Sequence, residues 1–453
     1  MLIRFVVSNF LSFNEETEFN MLTGNVRTLT SHVSEVNNLK VLRSAAIYGA
    51  NGAGKSNLVK ALVVLHDIVV GGDWEYEEAW KPFKLNPQNQ EKPASFEVEF
   101  AYEGNVYHYG ISGLKTTISE EWLYKVHDQD HSTCVFDRKT QQGKTAITFQ
   151  EKYLSTPEGK VRRKLYADEL LQDNASLLKL MAAGKEVFPE VKQAYDWFRD
   201  KLYLLFPQSK PLGLAEKLTI SDEFKEFIND VIHSLDTGIH ALEVETQSLE
   251  DFFGTNEQEE VAKIKAELEA TGSMAFLRSL DGKEELVFME ENGGYFVKQL
   301  LTKHLTENGE EVTFNVQEES DGTVRLLELL PAIFQAIQEG HVIIIDEIGR
   351  SIHPWLLKSL LRKFSAEPAN GQLIFTTHEA HLLDQEIFRR DEIWLTEKTS
   401  KGATSLSPLS DFDIRVDLDI RKGYLNGRFG AIPLLANLQD LNWSQYATEK
   451  QGV

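Results

Sequence analysis

Eight consecutive residues, Gly49-Ala50-Asn51-Gly52-Ala53-Gly54-Lys55-Ser56, carry the strongest chemical signal in the sequence. Their spacing, G-x-x-x-x-G-K-[ST], suits a loop whose glycines let successive backbone N–H groups wrap an anion. Lys55 places a point charge on the β- and γ-phosphates of a bound nucleotide, and Ser56 offers a hydroxyl to Mg²⁺. A second set lies almost three hundred residues later. His341-Val342-Ile343-Ile344-Ile345 is an apolar run that ends in Asp346 and Glu347. Carboxylates at the end of a buried strand suit a metal contact (Asp346) and the orientation or deprotonation of water (Glu347). Gln372-Leu373-Ile374-Phe375-Thr376-Thr377 is a further apolar run and delivers His378 to the same edge, where an imidazole could contact a terminal phosphate. Together these residues describe ATP and Mg²⁺ chemistry, with Lys55, Glu347 and His378 as the catalytic candidates.

Ser320-Asp321-Gly322-Thr323 precedes a helical pattern that begins near Val324. Small polar residues at a helix N-terminus can bind an anion. The same residues can equally be a plain cap.

Such groups need elements to hold them. Residues 2–8 alternate like a strand, 41–48 form a second apolar strand, and 57–70 an apolar helix, which places the glycine loop between strand and helix. Short β-like runs at 95–102, 106–112, 122–126 and 146–150, separated by turn-like HDQD and RKTQQGKT, predict an antiparallel lobe. Helical periodicity is expected over 167–183, 187–201, 221–235 and 258–270. From 311 onward strands and helices alternate again: 311–317, 324–338, 341–345, 354–364, 372–376 and 393–395. Ser351 is expected to cap the 354–364 helix, with Pro354 in its first turn. The expected fold is therefore α/β, with one nucleotide-binding sheet assembled from both ends of the chain. The expected divisions are 1–150 (loop and β lobe), 151–300 (a mainly helical insertion) and 301–453 (the second half of the core).

The order of glycine loop, insertion, ESDGT, IIIDEIGRSIHP, QLIFTTH and a closing GRFGAIP resembles the ABC-type ATPases of the AAA-fifteen and AAA-twenty-one group. That group includes the ATPase portions of OLD-family nucleases and ATPase subunits of bacterial phage-defence systems. The resemblance implies that Ser320, Asp321, Gly322 and Thr323 act as an ABC signature on ATP held by another subunit. A homodimer or higher homo-oligomer would then close through the ATP sites, with residues 349–354 at the interface. It also implies a sensor or switch that controls a separate effector, a nuclease or toxin. The signature departs from the LSGGQ spelling of transporters, and the glutamine loop is unplaced, with Gln88 and Gln90 as candidates. The carboxylates Asp411, Asp413, Asp417 and Asp419 invite a two-metal nuclease reading, but the segment is short for a nuclease fold.

Composition narrows the partners. The 453 residues are 42% hydrophobic and 26% charged, with a formal charge of −23. A strongly acidic chain favours protein partners over tight phosphate-backbone contacts. This weighs against the rival reading, a RecF- or SMC-type ATPase that clamps DNA, although direct DNA contact stays open. One cysteine, Cys134, suits a reducing cytoplasm. No run approaches the ~18–20 apolar residues of a membrane span, so no membrane partner is expected.

Overall fold

The computed structural model describes residues 1–432, apart from 72–79, 129, 185–187, 210–212, 236, 255–256, 272–273, 279–284, 292, 368 and 415–417. Asp417 and Pro433, both named above, lie outside the described residues.

The strands run in chain order as follows. The first group is β1 (Leu2–Ser8), β2 (Thr17–Asn20), β3 (Val33–Val36), β4 (Leu39–Leu42) and β5 (Ser44–Gly49). Next come β6 (Ala94–Tyr102), β7 (Asn105–Leu114), β8 (Thr117–Val126), β9 (Ser132–Gln141), β10 (Lys144–Phe149) and β11 (Leu202–Leu205). A third group is β12 (Ala241–Ser248), β13 (Met274–Arg278), β14 (Glu285–Glu291), β15 (Gly294–Leu305) and β16 (Glu311–Asn315). The last are β17 (Val342–Ile345), β18 (Gln372–Thr376), β19 (Ile393–Lys398) and β20 (Thr404–Pro408).

The largely parallel sheet has the order β11-β17-β18-β5-β19-β20. Its first five strands are parallel, and β20 joins β19 antiparallel. The N-terminal β5 thus stands between β18 and β19 from the last part of the chain, as the two-ended reading requires. Alternation explains how β17 is covered on both faces. Val342 and Ile344 join the core beneath the antiparallel sheet and the Lys55–Val70 helix. Ile343 and Ile345 join the core under the Asp321–Glu339 and Pro354–Ala366 helices. Successive strand side chains point to opposite faces, so an unbroken apolar run is what a doubly covered strand needs.

The expected antiparallel lobe is a seven-stranded sheet, β10-β9-β8-β7-β6-β1-β2. Strand β9 was not legible, because its Asp137, Arg138 and Lys139 interrupt the alternation. Arg138 is nonetheless wholly buried, paired with the wholly buried Glu121 of β8. The Glu121 carboxylate also accepts from Tyr109 Oη, Ser176 Oγ and the N–H groups of Leu177 and Leu178. Arg138 donates to the carbonyls of Ala175 (2.6 Å), Gln172 and Asp173. This network breaks the helix expected over 167–183. The Pro157–Leu165 helix ends in one wide turn at Tyr166–Leu170, the chain turns again over 172–175, and it re-enters a helix only at Leu177–Ala182, capped by Ser176.

The other helices expected in the middle of the chain are present in large part, at Pro189–Asp196, Asp222–Ser234 and Gln258–Thr271. Between and after them, however, stands a sheet in the order β12-β15-β14-β13, with β16 also on β15. The stretch 151–300 therefore combines its helices with strands that the periodicity did not show. Strand β12 alternates clearly only over Leu242 to Glu245 and buries little of its length, so its pattern is too short to mark a strand without the pairing partner.

Candidate functional site

Strand β5 ends at Gly49, and the Lys55–Val70 helix begins six residues later. The turn between them is possible because Gly52 and Gly54 adopt φ of 75° and 119°. A side chain at Gly54 would collide with Thr404 of β20, and one at Gly49 with Thr396 of β19. The two threonines pin the loop from outside. Thr404 Oγ1 donates to the Ala53 carbonyl at 2.7 Å and Thr396 Oγ1 to the Tyr48 carbonyl at 2.9 Å. Ser12, in the turn after β1, joins this set through Thr404 and Asn57. None of these supports is legible in the sequence, because a lone hydroxyl residue on a strand or in a turn carries no spacing signal.

The helix starts without a capping side chain among the described residues, so its N-terminal N–H groups and positive dipole end face the loop. Lys55 is 5% exposed. Its ammonium donates to the carbonyls of Gly49 (2.9 Å) and Ala50 (3.2 Å) and lies 3.4 Å from His378 Nδ1. Burial lowers its pKa to about 8, against the pull of Asp346 and Glu347, which raise it. An uncapped helix end, an ammonium held by neutral carbonyls and a glycine-lined turn together fit an anion with several oxygens. Ser56 is half-buried in the first helical turn.

The acidic pair sits where β17 leaves the sheet. Asp346 is buried, its N–H bound to the Leu205 carbonyl of β11. Thr376, at the end of β18, donates its hydroxyl to Asp346 Oδ1 at 2.5 Å and accepts the Glu347 N–H at 2.8 Å. One side chain therefore holds both the Asp346 carboxylate and the Glu347 backbone. Glu347 itself has φ of 52°, a left-handed conformation that costs a non-glycine residue roughly 1–2 kcal/mol. The Thr376 bond holds it there. His378 is exposed at the end of the same strand. The desolvation it does suffer, and next the Lys55 charge, hold its pKa below the ordinary imidazole value, so it is neutral at pH 7.

The structure thus brings together Gly49 to Ser56, Asp346, Glu347 and His378. Ser320 to Thr323 stand elsewhere. Ser320 caps the Asp321–Glu339 helix, its Oγ accepting the Thr323 N–H at 3.1 Å. The helix starts three residues before the expected Val324. Ser320 and Asp321 are exposed. A Cβ on Gly322 would come 2.5 Å from the Ser351 carbonyl, so this turn packs directly on the loop that follows Glu347. In that loop the cap of the Pro354–Ala366 helix is His353 rather than Ser351. Ser351 instead has φ of 64°, which places it outside the helix entry. Gln88 and Gln90 are exposed on the Pro87–Glu91 turn, with the buried Asn89 between them. Among the described residues no cluster of His, Cys, Asp or Glu has metal-holding geometry, and no helix is long and apolar enough to cross a membrane.

The family model described as "AAA domain, putative AbiEii toxin, Type IV TA system" matches residues 44–384, a span that includes Gly49 to Ser56, Ser320 to Thr323, Asp346, Glu347 and His378. No curated protein matches the chain. Among solved structures, the SMC head domain from Thermotoga maritima aligns at 13% identity over 90% of this chain and 98% of that one, with a TM-score of 0.38. An SMC head bound to the C-terminal winged-helix domain of ScpA aligns at 12% identity over 90% and 99%, TM-score 0.43. An SMC head with an extended coiled coil, bound to the C-terminal domain of ScpA derived from Pyrococcus furiosus, aligns at 12% identity over 94% and 98%, TM-score 0.36.

Proposed function

The chain belongs to that AAA-domain family, and from this premise we propose that it is an ATP-binding and ATP-hydrolysing switch of the ABC type, completed by a second copy of itself. The observation that carries the reading is the convergence of Lys55, Asp346, Glu347 and His378 on one strand-edge site beside an uncapped helix end. The loop N–H groups and Lys55 bind the phosphates. Ser56 and Asp346 are the residues that would hold Mg²⁺, which neutralises charge on the phosphate oxygens when bound. Glu347 orients the attacking water and accepts its proton. Neutral His378 contacts the γ-phosphate.

Ser320 to Thr323 supply the remaining contact from the opposite chain. The exposure of Ser320 and Asp321, and the packing of Gly322 on the loop behind Glu347, support this arrangement. The effector this switch controls, a separate nuclease or toxin in phage defence, rests on the family resemblance and on the toxin–antitoxin wording of the matched family. A cytoplasmic location belongs to the same reading.

The test is ATP turnover measured against protein concentration, with molecular mass by light scattering. Specific activity is expected to rise as the chain associates. Lys55→Ala is expected to bind ATP about 10–100-fold more weakly, the loss of one charged hydrogen bond worth ~1.5–3 kcal/mol. A dilute monomer that hydrolyses ATP at the full rate ends the two-chain reading.

ATP affinity should also depend on pH in a defined direction. The free-site pKa of Lys55 is about 8, and a phosphate anion beside the ammonium raises it. Between those values the bound form carries more protons, so affinity falls as pH rises above about 8, and binding takes up protons. Calorimetry at pH 8.5 in buffers of different ionisation enthalpy reads the uptake directly. Zero uptake rejects the assignment of Lys55 to the phosphates.

A further inference from the structure

The residue before the Ser320 turn is tied to the middle of the chain. Glu319 is 8% exposed at its side chain, and its carboxylate accepts from Thr302 Oγ1 at 2.6 Å and from His304 Nε2 at 2.7 Å. Both partners belong to β15, the strand on which β12, β14 and β16 are all hung. The covalent path is equally short. From β16 the chain passes through a Val316–Glu318 turn, closed by a reciprocal Asn315–Glu318 capping box, and reaches Glu319 directly. Glu319 and Ser320 are both extended, with φ, ψ of −76°, 158° and −64°, 150°. Successive extended residues point to opposite sides. The inward pull on Glu319 is therefore what leaves the Ser320 hydroxyl facing outward, where it caps the helix.

We propose that Glu319 is a positioning residue through which the 241–315 sheet sets the Ser320–Thr323 turn, so that whatever moves β15 controls ATP turnover in the partner chain. This rests on the two-chain reading above. The partners differ: Glu319 is held by Thr302 and His304, whereas Lys55 is held by Gly49, Ala50 and His378. Loosening the clamp disturbs the contact made to another chain's ATP and leaves the chain's own nucleotide binding intact.

The experiment compares wild type with Glu319→Ala, Glu319→Gln, His304→Ala and the Glu319→Ala/His304→Ala pair. Three quantities are read: turnover at saturating ATP, the Kd of a fluorescent ATP analogue at dilutions where the chain is single, and ATP-driven self-association in a Glu347→Gln background. Glu319→Ala is expected to lower kcat by about tenfold or more and to weaken self-association, with the analogue Kd unchanged. Glu319→Gln keeps an acceptor oxygen for Thr302 and His304 and retains most of the activity. The double variant falls no further than Glu319→Ala alone, because both changes break one clamp. Wild-type kcat in Glu319→Ala, or a loss confined to nucleotide affinity, overturns the proposal and leaves the two-chain reading standing. Turnover of wild type that is independent of concentration overturns both.

Discussion

Glu347→Gln is expected to lower ATP turnover by about 10²–10⁴-fold while ATP binding is retained, the range supplied by a positioned general base. The amide is nearly isosteric and can still hydrogen-bond a water, but it cannot take the proton. The geometry around it should survive, because the left-handed backbone at residue 347 is held through its N–H by Thr376, and Asp346 keeps the same hydroxyl. The defect therefore lies in the chemical step. The ATP-bound assembly should accumulate, visible as a larger mass with ATP than with ADP. Phosphate release in a single turnover is the measurement, and turnover within about threefold of wild type would remove Glu347 from the catalytic role.

The second large effect concerns stability. Glu121→Ala leaves Arg138 fully buried without its counter-charge and strips four donors of their acceptor: Tyr109 Oη, Ser176 Oγ and the Leu177 and Leu178 N–H groups. Breaking a buried pair from one side costs about 3–5 kcal/mol. The damage should centre on residues 172–178, which Arg138 and Glu121 together fasten to the antiparallel sheet. A lowered first urea transition with early proteolysis in that segment is the expected result. Replacing Glu121 and Arg138 together by apolar residues of similar volume should recover part of the loss, since no lone charge then remains buried. An unchanged transition in Glu121→Ala would mean that water or a local shift satisfies Arg138 instead.

The sequence made the centre of the site legible and its surroundings obscure, and the division has a physical basis. Lys55, Asp346 and His378 are announced by local pattern: a glycine-rich turn, and apolar runs long enough to be doubly covered strands. Thr376 does as much to place the acidic pair, but it is an ordinary threonine at the end of an ordinary strand until β17 lies beside β18. Thr396 and Thr404, which pin the glycine loop, depend in the same way on pairings formed across the whole chain. Strand β11 carries no signal of its own, because Leu202 to Leu205 are four residues that follow a helical stretch without a break. Only its parallel pairing with β17 makes it a strand. Strands β12 to β15 of the 241–315 sheet are hidden for a related reason, whereas β16 falls within the expected 311–317 element. The sheet's long-range partners decide which of its many charged positions face out, and pairs such as Lys303 with Glu243 and Glu311 show charges neutralised across strands.

The place of β5 has a consequence for how the molecule comes into being. This strand lies in the sheet between β18 and β19, whose residues pair with Ser44 to Gly49 across more than three hundred positions of chain. A ribosome adding residues one after another presents β5 and its glycine loop long before either neighbour exists. Strand pairs this distant in sequence close late, after a large loop entropy has been met. Until then the apolar β5 has open edges and requires shielding. The same order acts as a safeguard. A truncated or stalled product lacks β18 and β19 and so has no sheet to hold the loop, and an incomplete chain cannot fire the device it was meant to become.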